Sequence, residues 1–383
     1  MRPTALKLTA GILFFCGLSS AVKAQVEPIN VVTSAVPFLR ISSDARAGGM
    51  GDLGVATSPD ANAGVWNMGK VAFNKSKGGI NATYTPWLKD LVNDVYLAGL
   101  SGYYKFDDNQ AITGSLRYFS LGNIQFTDNL GNDFGSFRPN EFGIDIGYSR
   151  QLNKKSGVGI ALKYIHSNLA GGTTVGSTTY KAGNSVAADL GYYHNGQNAA
   201  GNGWSWGATL TNLGAKISYT DNADAKDFIP ANLGLGATYT KNFNDKNSIM
   251  FGLDVNKLLV PTPPAEGDST GLVDYRAKGV VGSWFSSFGD APGGFSEELK
   301  EFQVSIGAEY WYNKQFALRL GYFYENKEKG NRRYFTTGIG LRYSIVGLNF
   351  SYLLPTGSGV SRNPLSNTLR FSLCFDLDGK AAK

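Results

Sequence analysis

Cysteine and histidine are nearly missing from this chain, which has two cysteines, Cys16 and Cys374, and two histidines, His166 and His194. Cys16 falls in an N-terminal leader, so the mature chain would keep Cys374 alone, which excludes a disulfide framework and a cysteine-rich zinc site. His166 and His194 fall in different predicted strands. A lone histidine in a β-strand is more often a structural residue than a metal ligand.

Other hallmarks of catalysis and nucleic-acid binding are also missing. The sequence has no phosphate-binding loop, no legible nucleophile–base arrangement and no run of lysine and arginine, so its basic pI of about 9.0 says little about nucleic acid. Gly49-x-Gly51-x-x-Gly54 matches the dinucleotide fingerprint as a string, but neither an apolar strand nor a βαβ unit surrounds it. We therefore expect neither an enzyme nor a cofactor or metal site.

Residues 1–24 have the pattern of a secretory signal peptide. Arg2 and Lys7 supply the positive end, residues 8–18 the apolar run, and residues 22–24 a small-x-small cleavage site. Phe15 is too bulky for a lipoprotein signal at Cys16. Cleavage would remove three basic residues and no acid, lowering the formal charge from +6 to +3.

Long apolar runs are absent after the leader, which excludes a helical membrane protein. What the chain has instead is glycine and aromatic residues: 49 Gly, 20 Tyr and 23 Phe, the glycine content being nearly twice the roughly 7% average. Short segments of alternating polarity indicate strands. They are centred on residues 80–87, 94–106, 111–121, 141–152, 157–168, 185–195, 204–213, 232–241, 248–258, 302–312, 316–324, 334–343, 346–354 and 367–375.

The predicted connections alternate between short turns and long loops. Short turns fall at 107–109, 153–155, 244–246, 313–314 and 344–345, and longer connections at 122–140, 170–184, 214–231, 259–301 and 355–366. One rim of short turns and one rim of long loops is typical of an outer-membrane barrel. A soluble β-sandwich or adhesin can show the same alternation of residues within its strands, but not this alternation of connection lengths. The sequence predicts an all-β transmembrane antiparallel barrel of about 14 strands over residues 78–375, followed by a polar tail at 376–383.

Within the predicted strands the two faces differ in chemistry. In residues 302–312 one face is aliphatic and aromatic, and the other carries Gln303, Ser305 and Glu309. A charge facing lipid near the midplane would cost roughly 2–4 kcal/mol. We therefore expect Glu309, and Arg319 on the next strand, to face the lumen.

Residues 25–77 do not alternate, and their centre, 37–73, is rich in small residues. Such a segment can pack tightly in a confined space, and we interpret it as a hatch within or under the barrel. The alternative is a small globular domain, for which the stretch is short. We expect Trp66 to be buried and to seat the hatch against the inner wall, and the polar hatch residues of interest to be Asp44, Arg46, Asp52, Asp60, Asn62 and Asn67.

The longest predicted loop, 259–301, carries more aromatic residues than a solvated loop normally does. Exposed apolar surface of this kind either folds back over the barrel mouth as a plug or enters a partner, and the sequence leaves both possibilities open. The residues that we expect to contact a partner or cargo are Trp284, Phe285, Phe288 and Phe295.

Two segments resemble one known family. FLRISSDARAGGMGDLGVATSPDANAGVWN (38–67) and SSFGDAPGGFSEELKEF (286–302) look like the PorV family, also called LptO, of outer-membrane components of the type IX secretion system of Bacteroidetes-type bacteria. Met68-Gly69 departs from the Asn-Pro-Ala that often follows this tryptophan. The resemblance implies a FadL-like fold of fourteen strands with an N-terminal hatch.

The resemblance also implies a non-enzymatic role. Such proteins receive cargo with a C-terminal signal domain from the SprA/Sov-type translocon and shuttle it to the surface attachment complex, where a PorU-type sortase acts. Beyond these partners we expect membrane lipid and no nucleic acid. Two rival hypotheses are a FadL-like transporter of hydrophobic small molecules and an outer-membrane lipid-modifying enzyme.

Overall fold

Fourteen of the described strands pair antiparallel in chain order and close into a barrel, the first strand pairing with the last. The computed structural model describes residues 31–377 except 88–91, 93, 128–130, 132, 223–224, 266 and 357–367. The strands are β1 Gly78–Pro86, β2 Val95–Lys105, β3 Gln110–Leu121, β4 Asn140–Gln151, β5 Ser156–Asn168, β6 Gly183–Asn195, β7 Gly203–Gly214, β8 Asn232–Asn242, β9 Asn247–Leu258, β10 Gln303–Tyr312, β11 Phe316–Tyr324, β12 Arg333–Tyr343, β13 Val346–Pro355 and β14 Leu369–Asp376.

The prediction of a fourteen-stranded antiparallel barrel is confirmed. The predicted first and last residues of every barrel strand lie within two positions of the observed ones. The signal peptide lies outside the described residues, as do most of the tail and the loop 355–366. The sequence did not predict that three long loops carry two-stranded ribbons of their own. These are Ile124–Thr127 with Asp133–Phe137, Thr174–Val175 with Thr178–Thr179, and Ile217–Ser218 with Lys226–Asp227.

Short turns and long loops lie on opposite rims, as the alternation predicts. Asn313 and Lys314, between β10 and β11, both have positive φ, at 52° and 54°, a backbone that lets two strands reverse tightly. Gly79 pairs with Asp376 on this turn rim, so the first strand begins and the last strand ends there. The connection between β9 and β10 is the longest on the opposite rim.

Alternation of polar and apolar residues sorts the side chains between lumen and lipid. Glu309 and Arg319 are 3% and 1% exposed, whereas Ile306 and Leu320 on the same strands are 53% and 66% exposed. Paired lumen charges and an outward apolar band are the arrangement that a bilayer requires. The expected inward placement of Glu309 and Arg319 is confirmed.

The hatch, residues 37–73, runs through the lumen from one rim to the other. At the loop rim Phe38 and Leu39 pack with Leu97, Phe119 and other residues near the ends of strands. At the turn rim the carbonyl of Lys77 accepts a hydrogen bond from the Lys105 amide, after which the chain enters β1. Along this path the hatch forms short helical turns, at Pro37–Arg40, Ala45–Gly48, Ala63–Trp66 and Met68–Phe73.

Glycines bring the hatch backbone against the barrel wall. A Cβ at Gly321 of β11 would lie 2.0 Å from the carbonyl carbon of Met50, and one at Gly51 would lie 2.7 Å from the carbonyl oxygen of Tyr322. Gly51 also has a φ of +70°, which other residues rarely adopt. Small residues therefore set the depth at which the hatch sits.

Among the residues that the structure describes, the helices outside the hatch all lie in the long loop between β9 and β10. They are Ser269–Ala277, Val280–Ser286 and Phe295–Glu298, followed by a 3₁₀ turn at Leu299–Glu301. Asp268 caps the first of them by accepting a hydrogen bond from the Gly271 amide. Among the described residues, none of the helices has the length and apolarity needed to cross a bilayer.

Candidate functional site

A buried ionic cluster joins the hatch to the barrel wall. The Arg46 guanidinium donates to both Glu309 oxygens, at 2.9 and 2.8 Å, and to Asp60 at 2.8 Å. Arg319 donates to Glu309 from the wall side at 2.8 Å and to Asn349 at 2.9 Å. Because every charge here has an opposite partner in a poorly hydrated space, removing one of them would leave others uncompensated.

A second ionic contact holds the middle of the hatch. Asp52 accepts hydrogen bonds from Arg370 of β14 at 2.6 Å and from the Tyr334 hydroxyl of β12 at 2.8 Å. Asp52 has a φ of 61°, so its backbone adopts a left-handed conformation that asparagine and aspartate tolerate better than most residues. The hatch is thus tied to two strands, β12 and β14, that flank β13.

Further hydrogen bonds link the hatch to the wall, some from wall side chains to the hatch backbone and others from hatch side chains. Asp254 of β9 accepts from the amides of Gly54 and Val55, at 2.7 and 2.9 Å. Asn67 donates to the carbonyls of Val55 and Tyr192, both at 2.9 Å. Asn62 precedes the helical turn Ala63–Trp66 but makes no capping bond with its side chain. Its oxygen instead accepts from Asn81 and Ser101 of the wall, at 2.8 and 2.5 Å.

Trp66 is partly buried rather than buried, and two of its contacts are with other hatch residues. Its indole N–H donates to Asp44 at 3.0 Å, and its ring lies where a Cβ on Gly54 would approach Cδ2 to 2.0 Å. Burial and the neighbouring Asp60 raise the pKa of Asp44. The expectation that Trp66 is buried is corrected: the indole packs between hatch turns, and one edge borders a lumen cavity.

The glycine string that resembles a dinucleotide fingerprint has a packing explanation. A Cβ at Gly49 would lie 3.0 Å from the Cα of Gly338 on β12. Gly51 abuts Tyr322 and Gly54 abuts Trp66. Each glycine of the string is therefore at a close approach between the hatch and its surroundings.

Two cavities lie between the hatch and the loop rim. The inner cavity is about 110 Å³ and is lined mostly by polar residues, among them Asp44, Arg117 and Asn212. The outer cavity is about 320 Å³ and is bordered by residues 31–34 and by the ends of strands near the long loop. Arg40, Gln303 and Arg332 line both cavities. The inner cavity is polar, so the two cavities do not form the continuous apolar channel that a hydrophobic ligand would need.

Ion pairs pin the long loop 259–302 to the barrel. Lys257, at the end of β9 and 1% exposed, donates to Glu298 at 3.0 Å and to Glu301 at 2.5 Å. Lys329 donates to Glu297 at 2.5 Å and to Glu301 at 3.2 Å. The acidic turn of the loop is thereby held on two sides, because basic residues from separate parts of the barrel converge on it.

The same loop exposes a set of large apolar side chains. Phe285 is 74% exposed, Phe288 46% and Phe295 76%, whereas Trp284 is partly buried. Three of the four residues singled out from the sequence therefore share an accessible surface. The aromatic residues of the sequence did not indicate that aliphatic side chains of the same loop are exposed as well. These are Leu272, Val273, Val281 and Leu299. We call the exposed members of the loop, namely these four with Phe285, Phe288 and Phe295, the loop surface.

A buried apolar cluster joins the long loop to neighbouring segments of the loop rim. Phe228, Val260 and Tyr275 form a buried apolar cluster against which Val32 and Val280 pack. The Ala35 amide donates to the carbonyl of Phe228 at 2.9 Å. Phe285 and Phe295 are not members of this cluster, and both are largely exposed.

Solved structures with a similar fold come from outer-membrane transporters. The Ralstonia pickettii toluene transporter TbuX is 13% identical, with a TM-score of 0.50, over 86% of this chain and 97% of that one. The Pseudomonas putida toluene transporter TodX is 13% identical (TM-score 0.49, 86% and 95% covered), and a Pseudomonas aeruginosa FadL homologue is 11% identical (TM-score 0.47, 88% and 98% covered). At this identity the likeness to TbuX shows the fold alone. No curated protein matches this chain significantly.

A family model matches the part of the chain that holds the hatch and the barrel up to the long loop. The model is described as type IX secretion system protein PorV, and it matches residues 23–265, more than half of the 383 residues. The match spans the glycine-rich hatch sequence and the strands β1 to β9. With a closed barrel of FadL-like fold that places the protein in the outer membrane, the chain belongs to the PorV family of type IX secretion system proteins.

Proposed function

We propose that this barrel is a non-enzymatic cargo shuttle of type IX secretion. In this role it takes secreted proteins bearing a C-terminal signal domain from the SprA/Sov-type translocon and delivers them to the attachment complex, where a PorU-type sortase acts. The loop surface is the contact for translocon or cargo. Membership in the PorV family supports the secretion role. The exposed apolar side chains of the loop surface support the proposal that this loop binds the translocon or the cargo.

The observation that carries the proposal is the exposed apolar set on a pinned loop. Side chains such as Phe285 and Phe295, 74% and 76% exposed, leave apolar area in water that a partner would cover. Aromatic anchors of this type dominate protein interfaces, each contributing about 2 kcal/mol or more when truncated. Because Lys257 and Lys329 hold the loop at Glu298 and Glu301, little conformational entropy would be lost on binding.

The polar lumen and the fastened hatch favour this role over transport of a hydrophobic small molecule. Such a transporter needs an apolar path, whereas the inner cavity here is bordered by Arg117, Lys163 and Asp189. A moving hatch would have to break the Arg46–Glu309 pair. We therefore place the function on the outer surface of the loop rim.

The test is a triple substitution, Phe285→Ser with Phe288→Ser and Phe295→Ser. These side chains are exposed, so we expect normal barrel assembly but loss of secretion and of cargo and translocon co-purification. The matched control is Ile124→Ser with Tyr180→Ser, two residues on other long loops that are 45% and 38% exposed. A variant with Trp284→Ser alone separates the partly buried ring from the exposed ones.

The outcomes distinguish the candidate functions. Normal secretion by the triple variant, with normal expression, would reject the loop surface as the contact. Normal secretion combined with new uptake of hydrophobic small molecules would favour the transporter and a plugging role for the loop. Failure of the control variant to secrete would mean that the whole rim, rather than this loop, is the contact.

A further inference from the structure

We propose that Arg40, between the two cavities at the loop end of the lumen, is a binding site for a carboxylate. The ligand is a small acid or the free carboxyl end of a peptide that enters through the outer cavity. This proposal concerns the lumen and stands independently of the shuttle role assigned to the loop surface.

Arg40 is a charged side chain whose partners are neutral. Its two terminal nitrogens donate to the side-chain oxygens of Asn232 and Gln303. An arginine has five N–H donors in a fixed fork, so these bonds leave three for another acceptor. Among the described residues, no carboxylate lies within ion-pair distance of Arg40. Burial and the neighbouring Arg332 lower its pKa to about 10, so the guanidinium stays charged at neutral pH.

The bases around Arg40 differ from it in having carboxylate partners. Arg332 holds both oxygens of Glu325 at 2.8 Å. Lys329 donates to Glu297 and Glu301. Gln303, which accepts from Arg40, itself donates to Glu325 at 2.8 Å. The nearest acid is therefore occupied by another base, and a partly buried positive charge is left for which an incoming anion would be the partner.

The cavities give such an anion both a route and a place. The outer cavity, about 320 Å³, borders Arg40 from the loop rim and has room for a few carbon atoms beyond a carboxyl group. On the far side, the inner cavity of about 110 Å³ has a second source of donors in Arg117. Arg117 is 7% exposed, and its Nε has no hydrogen-bond partner among the described residues.

The geometry selects the class of ligand. A planar guanidinium matches the two oxygens of a carboxylate. The polar inner cavity excludes a long acyl chain beyond the carboxylate, because burying it would bring apolar surface against Asp44, Asp189 and Lys163. The remaining part of the ligand must therefore lie in the outer cavity or outside the mouth.

Isothermal titration calorimetry on the full mature barrel in detergent micelles tests the site. The probes are sodium acetate, sodium hexanoate, and a pentapeptide with either a free carboxyl end or a C-terminal amide. We expect at least one free carboxylate to bind, and the amide to bind about tenfold more weakly or worse than the free peptide if the source is a chain end. Arg40→Gln should weaken carboxylate binding about tenfold or more, and Arg40→Lys should restore part of it.

A second variant keeps the test decisive should Arg40→Gln fail to fold. Asn232→Asp is isosteric and gives Arg40 a carboxylate of its own, so it should block binding while the barrel remains heat-stable. Lys181→Gln, at an exposed ion pair on another loop, is the control that should bind normally. Binding of hexanoate without the peptide assigns a small acid, and the reverse assigns a chain end. Either result upholds the site, whereas binding to none of the carboxylates, or equal binding by Arg40→Gln, overturns it.

Discussion

Arg46 of the hatch and Glu309 of β10 are joined by two hydrogen bonds across 263 residues of sequence, at 2.9 and 2.8 Å. Arg319 approaches the same carboxylate from the next strand at 2.8 Å. One acid thus serves two guanidiniums, one from the hatch and one from the wall. The hatch is consequently part of the charge balance of the lumen and not a loose insert.

Glu309→Gln should loosen the hatch. The substitution leaves Arg46 and Arg319 facing each other without the acid between them, and removing one member of such a buried cluster costs about 3–5 kcal/mol. We expect a lower melting temperature in micelles and faster proteolysis within residues 37–73. Asp221→Asn, which breaks the exposed pair with Lys181, should change neither measurement. An unchanged melting temperature for Glu309→Gln would contradict the role of the cluster.

Gly321→Ala should disturb the hatch more than an equivalent change elsewhere in the barrel. The new Cβ would lie 2.0 Å from the carbonyl carbon of Met50, so the hatch backbone must move. Gly114→Ala is the matched strand control, since its Cβ would meet only an ordinary contact at 3.5 Å. Heat-modifiability on gels and limited proteolysis measure the difference. Equal behaviour of the two variants would show that the hatch sits less deeply than the structure places it.

Trp66→Ala should destabilise the hatch by about 3 kcal/mol, the lower end of the range for large aromatic truncations, because the ring is only partly buried. Trp66→Phe keeps much of the packing on Gly54 and loses the 3.0 Å hydrogen bond to Asp44. It should therefore cost about 1 kcal/mol. Chemical unfolding of both variants separates packing from hydrogen bonding. A larger loss for Trp66→Phe than for Trp66→Ala would refute this division.

The short turns should face the periplasm and the long loops the outside of the cell. A cysteine introduced as Lys154→Cys, in the turn between β4 and β5, should escape a membrane-impermeant maleimide added to intact cells. Ser286→Cys, in the long loop, should react with it. Both variants are made with Cys374→Ser to remove the native thiol. Labelling at position 154 alone would reverse the orientation.

The alternation of residues along the chain was sufficient to predict the barrel. In β10 and β11 apolar and polar residues alternate with a period of two, and a bilayer outside a polar lumen accepts one register of that pattern. Glu309 and Arg319 could be assigned to the lumen from the sequence because a charged side chain facing lipid is energetically costly. Turn residues such as Asn313 and Lys314 marked the strand ends for the same local reason.

The sequence also marked the hatch as different, since residues 37–73 lack alternation and are rich in glycine. It did not show which polar residue meets which. Asn62 was expected among the polar residues of the hatch, but nothing in the sequence indicated that its side chain bonds to Asn81 and Ser101. Trp66 was expected to be buried, yet its ring is partly exposed and packs on Gly54 of the hatch. Such pairings depend on the depth and rotation of the hatch, which the close approach of Gly51 and Gly321 fixes.

Local chemistry along the chain therefore determined the strands, their faces, the turns and the identity of the exposed aromatic loop. The tertiary structure alone decided the contacts between residues hundreds of positions apart. Glu309 lies between Arg46 and Arg319, and Arg40 lies between two cavities with neutral partners, because closing the barrel brings β8, β10 and the hatch together. No period in the sequence encodes these juxtapositions, since they depend on the curvature of the closed sheet and on how deeply the hatch packs inside it.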